Sequence, residues 1–266
     1  GDGDPPAMDG AAPLDVAVVQ LDHMSNFVDV DALRRDPDFR VRFVRAVEDL
    51  GSPDVVIVPG TKTTAADLEA LLRGGMARAI IERRREGAAV IGICRGYQML
   101  GAAIHDPLGV ESSIRDVEGL GLLRVETTFA PEKATHRVRA TPAGRHPATA
   151  GLDRSGFDGY EIHMGSTAGP DAAPPLLRLR RADGTEVDDG AASPDGRVVG
   201  LYVHGCFDEP AGRAWLRSLA PRFAGNGRRA EPGAPLSEVR ELAFDRLAAV
   251  LRANADWPAI RALLGL

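Results

Sequence analysis

The chain has 266 residues, of which 44% are hydrophobic and 26% charged, and its formal net charge is -6. This ordinary globular composition excludes disordered, collagen-like and low-complexity classes, and the length suffices for one large domain or two small ones. The acidic balance argues against nucleic acid as a main partner, because proteins that bind a duplex usually carry an excess of basic residues.

The sequence also argues against a membrane partner and against export. No apolar run approaches the roughly 18 residues needed to span a bilayer, and no charged-then-apolar leader opens the chain. The two cysteines, Cys94 and Cys206, cannot form a disulfide framework. We therefore expect a cytoplasmic location, since free thiols are the default in a reducing compartment.

Two segments have the composition of irregular structure. Residues 1–13 are rich in Gly, Pro and Asp without an apolar period, which predicts a flexible lead-in. The chain starts with Gly1 and not Met, which suggests a processed or excised piece. A second stretch at 224–235, rich in Gly and Pro, predicts a linker after a main domain at 14–223.

The remaining residues, 236–266, predict a C-terminal helical segment. Ser237 is positioned to cap its first helix, and apolar residues at helical spacing follow. A last short helix is expected to bury Trp257, Ile260, Leu263 and Leu264.

Strands and helices alternate in the first half of the main domain. Three short apolar runs predict buried strands, at Val16–Val19, Val55–Val58 and Val90–Ile93. Helical stretches at Ala65–Arg73 and Met76–Arg85 separate the last two. This order predicts an α/β fold with a mainly parallel sheet and helices on both of its faces.

The second half of the main domain predicts strands joined by loops rich in Gly, Pro and Asp. Their expected positions are Leu122–Phe129, His136–Ala140, Tyr160–His163, Leu176–Leu179 and Val198–Val203.

The third apolar run leads directly into a G-x-C-x-G element centred on Cys94 and then into a helical pattern. This is the cysteine version of the nucleophile elbow, in which small residues permit a tight strand-to-helix turn. The turn places the thiol at the carboxyl end of a parallel strand, where open α/β sheets have their sites, and a helix N-terminus favours the thiolate. A buried structural cysteine is the alternative interpretation, and the elbow spacing disfavours it.

A nucleophilic thiol needs a base, and the sequence offers six histidines. His204 follows the apolar run that ends at Val203, so it lies at a strand end where it could meet Cys94. His163, flanked by glycines, is the second candidate. The other four have polar or loop neighbours and are expected at the surface: His23, His105, His136 and His146.

The segment Pro59–Thr63 follows a buried strand and has some features of a phosphate loop. A Walker loop requires G-x-x-x-x-G-K-[ST], but Val55 occupies the first glycine position and Thr61 separates Gly60 from Lys62. We interpret Gly60 as a main-chain N–H donor to an oxyanion at the thiol site. The spacing of the two cysteines gives little support for a zinc site.

Four parts of the sequence resemble the C-terminal class I glutamine amidotransferase domain of the cobyric acid synthases. The G-x-C-x-G element is shared by class I amidotransferases, whereas G-Y-E-I-H-M-G separates this family from the sister cobyrinate diamide synthases. The resemblance implies a flavodoxin-like α/β fold with a C-terminal helical tail. The matching segments are Ser25–Asp31, Pro59–Leu68, Gly92–Gly101, and Gly159–Gly165 together with Tyr202–Asp208.

The resemblance implies a glutaminase. Cys94 would attack the side-chain amide of glutamine, His204 would shuttle the proton, and ammonia would leave a glutamyl thioester. The main-chain N–H groups of Gly60 and Arg95 would form the oxyanion hole. The side chains expected to line the glutamine pocket are those of Gln98, Tyr160, Glu161 and His163.

The resemblance further implies that the ammonia serves an ATP-dependent synthetase domain, which amidates carboxylates of a corrinoid, adenosylcobyrinate a,c-diamide. ATP and Mg would bind to that domain, and no cofactor or metal is expected in this chain. Because the sequence has no phosphate loop, the synthetase is either a missing N-terminal part or a separate chain.

Two departures from the family pattern leave alternatives open. Arg95 stands where the family commonly has glycine, which places a bulky cation at the mouth of the site. Cys206 stands two residues after the histidine, where most class I amidotransferases have a glutamate that orients it. The sequence thus predicts a Cys–His dyad with no named third member. A catalytically silent docking module and another cysteine hydrolase are the alternatives.

Overall fold

The computed structural model describes residues 12–220 and 235–265. The chain divides into two compact units, Gly1–Pro232 and Gly233–Leu266. The predicted lead-in lies outside the described residues except for its last two, and the predicted linker lies outside them except for Pro235.

The elements follow in chain order. The strands are β1 (Leu14–Val19), β2 (Phe39–Val44), β3 (Val55–Val58), β4 (Ala89–Ile93), β5 (Ala103–His105), β6 (Asp116–Glu118), β7 (Glu126–Pro142), β8 (Phe157–Ala168), β9 (Leu177–Arg181), β10 (Glu186–Asp189), β11 (Ala191–Ala192), β12 (Val198–Leu201) and β13 (Val203–His204). The α-helices are α1 (Asp31–Arg35), α2 (Thr64–Arg73), α3 (Met76–Arg85), α4 (Arg95–Leu100), α5 (Pro210–Leu219), α6 (Leu236–Asn254) and α7 (Trp257–Leu264).

A parallel sheet forms the centre of the larger unit. Its strand order is β11-β12-β4-β3-β1-β2, and only β11 runs antiparallel to its neighbour. Every residue of β1, β3, β4 and β12 is buried, as expected for apolar runs covered on both faces. The predicted α/β fold is confirmed. The edge strand β2 was not predicted, because its arginines interrupt the apolar pattern.

A second, mostly antiparallel sheet follows, in the order β10-β9-β7-β5-β6, with β8 paired to β7 and to β13. The two strands predicted at Leu122–Phe129 and His136–Ala140 are wrong in their bounds, because a single strand, β7, covers the second half of the first and the whole of the second. Its pairing with β8 continues through a register shift between Thr128 and Lys133, so the polar residues between the apolar runs also belong to the strand.

The strand predicted at Val198–Val203 is interrupted. The carboxylate of Asp189 accepts the main-chain N–H groups of Tyr202 and Val203 at 3.0 and 3.1 Å. The chain therefore leaves the parallel sheet after β12, and β13 pairs with β8, which sets His204 opposite Tyr160.

The smaller unit contains α6 and α7. Ser237 is the second residue of α6 and does not cap it, since Pro235 occupies the N-cap position. The predicted burial of α7 is wrong: the side chains of Trp257, Leu263 and Leu264 are 42%, 87% and 66% exposed. Helical spacing identifies the apolar side of a helix, but burial also requires a neighbouring surface. No described helix is long and apolar enough to cross a membrane.

Candidate active site

The turn after β4 is built from close main-chain contacts. A Cβ added to Gly96 would lie 1.9 Å from the carbonyl oxygen of Val58, and one added to Gly92 would lie 2.7 Å from the main chain of Gly96. Both glycines of the G-x-C-x-G element are therefore required by the packing. Cys94 between them has a backbone φ of 54°, a value that residues other than glycine rarely adopt. Backbone strain of this kind is typical of functional sites.

Three groups converge on the thiol of Cys94. Its Sγ lies 3.3 Å from the carbonyl oxygen of Ile162 on β8. Gly60 is also close, since a Cβ built there would be 3.7 Å from both the Cys94 Cβ and the His204 Cε1. The structure thus brings together Cys94, Gly60 and His204, which lie in three separate segments of the sequence.

The imidazole of His204 is fully buried and held from several directions. Its Nδ1 lies 2.7 Å from Oδ2 of Asp29, while Oδ1 of that carboxylate accepts the Gly205 N–H at 3.1 Å. The ring stacks on Tyr160 at a centroid distance of 5.0 Å, and the amide of Asn26 lies 3.2 Å from Nε2. Because Asp29 holds Nδ1, the ring has a fixed orientation.

The surroundings of His204 also determine its charge. Burial alone would lower the pKa of His204, but hydrogen bonds to Asp29 and Cys94, together with the charges of these two groups, raise it to about 10. At neutral pH the ring is therefore an imidazolium. A protonated ring beside Cys94 can act as a general acid toward a leaving group at this thiol.

Asp29 is a residue of this site for which the sequence predicted no role. It lies in a short 3-10 helix, Phe27–Val30, which follows Asn26 in the left-handed conformation. The segment is joined to the thiol site because the Ser25 N–H donates to the Gly60 carbonyl at 2.9 Å. A signal was present, since polar residues soon after β1 lie at the same sheet edge as those after β4.

Comparisons with known proteins agree with this geometry. The sequence model of the CobB/CobQ-like glutamine amidotransferase domain matches residues 15–212. The chain belongs to this family. It is 38% identical over 269 residues to a cobyric acid synthase of Limosilactobacillus reuteri, an alignment that covers 98% of this chain and 50% of that protein. The corresponding enzyme of Klebsiella pneumoniae is 44% identical over 262 residues, which cover 94% of this chain and 49% of that protein.

Solved structures support the amidotransferase fold. PurLQS from Thermotoga maritima superimposes with a TM-score of 0.55 at 18% sequence identity, covering 80% of this chain and 92% of that chain. A second structure, described as a glutamine amidotransferase, gives a TM-score of 0.53 at 18% identity and covers 77% of this chain and 97% of that one. The chain spans about half the length of the curated relatives it matches.

The side chain of Arg95 in this amidotransferase domain is anchored rather than free. Its Nη1 bonds to a carboxylate oxygen of Glu111, to the Lys62 carbonyl at 3.1 Å and to the Thr64 hydroxyl at 3.2 Å. The guanidinium carbon lies 5.7 Å from the centre of the Phe129 ring. These contacts fix the cation on the β3–α2 loop, and its main chain begins α4 directly after Cys94.

The predicted substrate residues lie in two groups. Tyr160 contacts His204 and so belongs to the thiol site. Glu161 and His163 pair with each other at 2.9 Å, and Glu161 also binds Arg181 at 2.8 Å. Burial raises the pKa of Glu161, but the hydrogen bonds from His163 and Arg181 outweigh this and lower it. Glu161 is therefore an anion whose two carboxylate oxygens are already bound by His163 and Arg181.

Gln98 completes a buried polar cluster behind the thiol. Its amide nitrogen donates to the Met164 carbonyl and to the Tyr202 hydroxyl, both at 3.2 Å, and His163 stacks on the Tyr202 ring at 3.8 Å. Among residues 12–220 and 235–265, no donor reaches Oε1 of Gln98.

The second cysteine has a different environment. Cys206 is fully buried. Burial raises its pKa well above the usual value, and the carboxylates of Asp29 and Asp208 add to the effect. Its thiol is therefore neutral and unreactive. No group of three or more His, Cys, Asp or Glu side chains within the described ranges could hold a metal ion.

Proposed function

We propose that this chain is the glutaminase part of a carbon–nitrogen ligase of the cobyric acid synthase type, acting in cobalamin biosynthesis. The observation that carries the proposal is the convergence of the Cys94 thiol, the Gly60 main chain and the His204–Asp29 pair at one end of the parallel sheet. The identity to curated cobyric acid synthases over nearly the whole chain supports the same assignment.

In the proposed reaction the Cys94 thiolate attacks the carbon of the glutamine side-chain amide, and the carbonyl electrons move to oxygen. The main-chain N–H groups of Gly60 and Arg95 donate to this oxyanion. The intermediate then collapses, and the C–N bond breaks while the His204 imidazolium transfers a proton to the departing nitrogen. Ammonia leaves, and a γ-glutamyl thioester remains on Cys94.

Hydrolysis of the thioester restores the site. The ring of His204, now neutral, accepts a proton from a water molecule, which attacks the thioester carbon. Collapse of the second tetrahedral intermediate expels the Cys94 thiolate and releases glutamate. Asp29 keeps Nδ1–H oriented throughout both steps, so that Nε2 exchanges the proton with the reacting groups. Asp29 thereby takes the orienting role that position 206 cannot fill.

The ammonia would pass to an ATP-dependent synthetase part that lies outside this chain, either on the same polypeptide or on another one. That part would bind ATP, Mg and the corrinoid, and it would amidate carboxylates of adenosylcobyrinate a,c-diamide. Its existence is supported by the curated relatives, of which this chain covers about half.

A catalytically silent docking module is less well supported. That alternative requires the Arg95 side chain to obstruct the site, whereas its guanidinium is bound to Glu111, Thr64 and the Lys62 carbonyl. The backbone donor does not depend on the side chain.

A glutaminase assay tests the proposal. Glutamate release from glutamine is measured with the whole chain, alone and with a partner synthetase. We expect turnover in the wild type, and Arg95→Gly should retain it within roughly tenfold because the main-chain donor remains. A wild type that is silent under both conditions, but is activated by Arg95→Gly, would contradict the proposal and support the docking module.

A further inference from the structure

The loop between β3 and α2 is held from two sides. On one side, the segment before Asp29 binds it: the Gly60 carbonyl accepts the Ser25 N–H at 2.9 Å, and the His23 carbonyl accepts the Lys62 N–H at 3.0 Å. The contacts on the other side come from Glu111, a residue that neither the reaction nor the family resemblance uses. Its side chain is only 7% exposed.

One carboxylate oxygen of Glu111 joins the two elements that flank the thiol. Oε1 accepts the main-chain N–H of Thr64 at 2.5 Å and its hydroxyl at 2.9 Å, and thereby caps the start of α2. The same oxygen accepts a hydrogen bond from the Arg95 guanidinium. The loop that begins with Gly60 ends at Thr64, and α4 begins at Arg95. Oε1 of Glu111 therefore links the two segments that contain the proposed oxyanion donors.

The position of Glu111 is itself fixed. It belongs to a loop, residues 106–115, that closes on the buried carboxylate of Asp106. This carboxylate accepts the main-chain N–H groups of Val110, Glu111 and Ser112 at 2.6, 2.9 and 3.0 Å. These hydrogen bonds hold the loop in place, so the Glu111 carboxylate can keep the Gly60 loop and the start of α4 in fixed positions.

We propose that Glu111 is a positioning residue of the oxyanion hole, because its carboxylate holds the Gly60 loop and the start of α4 at a fixed separation. The proposal rests on the glutaminase function proposed above. Glu111 does not touch the substrate, so its loss should leave glutamine binding and the thiol itself nearly unchanged. The transition state should be destabilised, because the two N–H groups no longer point at the same oxygen.

The first test is the kinetics of Glu111→Ala in the full chain. We expect kcat for glutamine hydrolysis to fall by roughly tenfold, the limit also expected for Arg95→Gly, which removes the same link between Glu111 and α4. This loss is smaller than the 10²–10³ typical of losing a donor outright, and KM should stay within about twofold. Glu111→Gln keeps an acceptor at the Oε1 position and should retain kcat within about threefold. Glu69→Ala, an exposed glutamate on α2, is the matched control and should behave as wild type.

A second measurement separates positioning from a structural role. The aldehyde analogue of glutamine, glutamate γ-semialdehyde, forms a hemithioacetal: the sulfur of Cys94 bonds to the aldehyde carbon, and the electron pair moves to oxygen. Glu111→Ala should weaken semialdehyde binding by the same factor as kcat, while the rate of Cys94 alkylation by iodoacetamide stays within about twofold. The positioning role would be overturned if Glu111→Ala slowed the alkylation of Cys94 by the same factor as it weakened semialdehyde binding. A normal kcat would overturn it as well.

The outcomes for the two proposals differ. A wild-type chain that binds the semialdehyde on Cys94 but never hydrolyses glutamine contradicts the glutaminase function, and the comparison of semialdehyde binding still decides the role of Glu111. A wild-type chain that does neither overturns both.

Discussion

Replacing Cys94 with serine should abolish glutamine-dependent turnover, with a loss of roughly 10⁴-fold or more. A serine hydroxyl beside the His204 imidazolium has no base to ionise it, because the ring already carries its proton. The fold should survive, since oxygen replaces sulfur at a position that is 7% exposed and the flanking glycines still permit the turn.

The loss should be confined to the glutamine step. With a partner synthetase present, free ammonia bypasses the thiol, so ammonia-dependent amidation of the corrinoid by Cys94→Ser should remain close to that of the wild type. The measurement is the rate of amide formation with glutamine and with ammonium chloride, at equal protein concentration. Loss of both activities in a folded variant would show that Cys94 does more than release ammonia.

Replacing Asp29 with asparagine should lower the glutaminase rate by about 10²–10⁴-fold. Each carboxylate oxygen of Asp29 accepts one N–H group, from His204 and from Gly205. An asparagine has a single acceptor oxygen, so one of these contacts is lost whichever way the amide turns. Asp31→Asn, on a side chain that is 37% exposed, is the matched control and should have little effect.

The pH dependence gives Asp29→Asn a specific signature. The pKa of His204, about 10 in the wild type, should fall when the carboxylate is removed. The alkaline limb of kcat/KM, where His204 loses the proton it must give to ammonia, should therefore move from near pH 10 to lower pH. An unchanged alkaline limb would show that another group controls it.

The same shift has a consequence for stability. Because the folded pKa of His204 lies above its unfolded value of about 6.5, its stabilising contribution is complete below that pH and is lost as pH rises through about 10. The difference in the free energy of unfolding between wild type and Asp29→Asn should thus be large at neutral pH and shrink toward pH 10.

The thiol site was predictable where its determinants are local in sequence. The strand, the two flanking glycines and the helix after Cys94 form one continuous segment, and the main-chain contacts at Gly96 explain why glycine is required there. His204 was predictable as a strand-end residue. The route by which it reaches the thiol was not, because Asp189 breaks the strand at Tyr202.

The remaining features depend on contacts that spacing does not encode. Asp29 lies 175 residues before His204, in a 3-10 helix too short to show a periodic pattern. The sequence suggested that the Arg95 side chain could obstruct the thiol site. Its partner, Glu111, lies in an irregular loop, where charge spacing predicts no contact. The exposed apolar residues of α7 were predicted wrongly for a similar reason. Periodicity identifies the apolar face of a helix, but it does not show whether another surface packs against that face.

The most direct test of the account is to locate the nucleophile by peptide mass spectrometry. The full chain is incubated with diazo-oxo-norleucine, a glutamine-like electrophile, with and without excess glutamine. We expect one adduct, on Cys94, whose formation glutamine suppresses, whereas the fully buried and neutral Cys206 stays unlabelled. An adduct found only on Cys206, or labelling of Cys94 that glutamine does not suppress, would contradict the assignment of Cys94 as the glutaminase nucleophile.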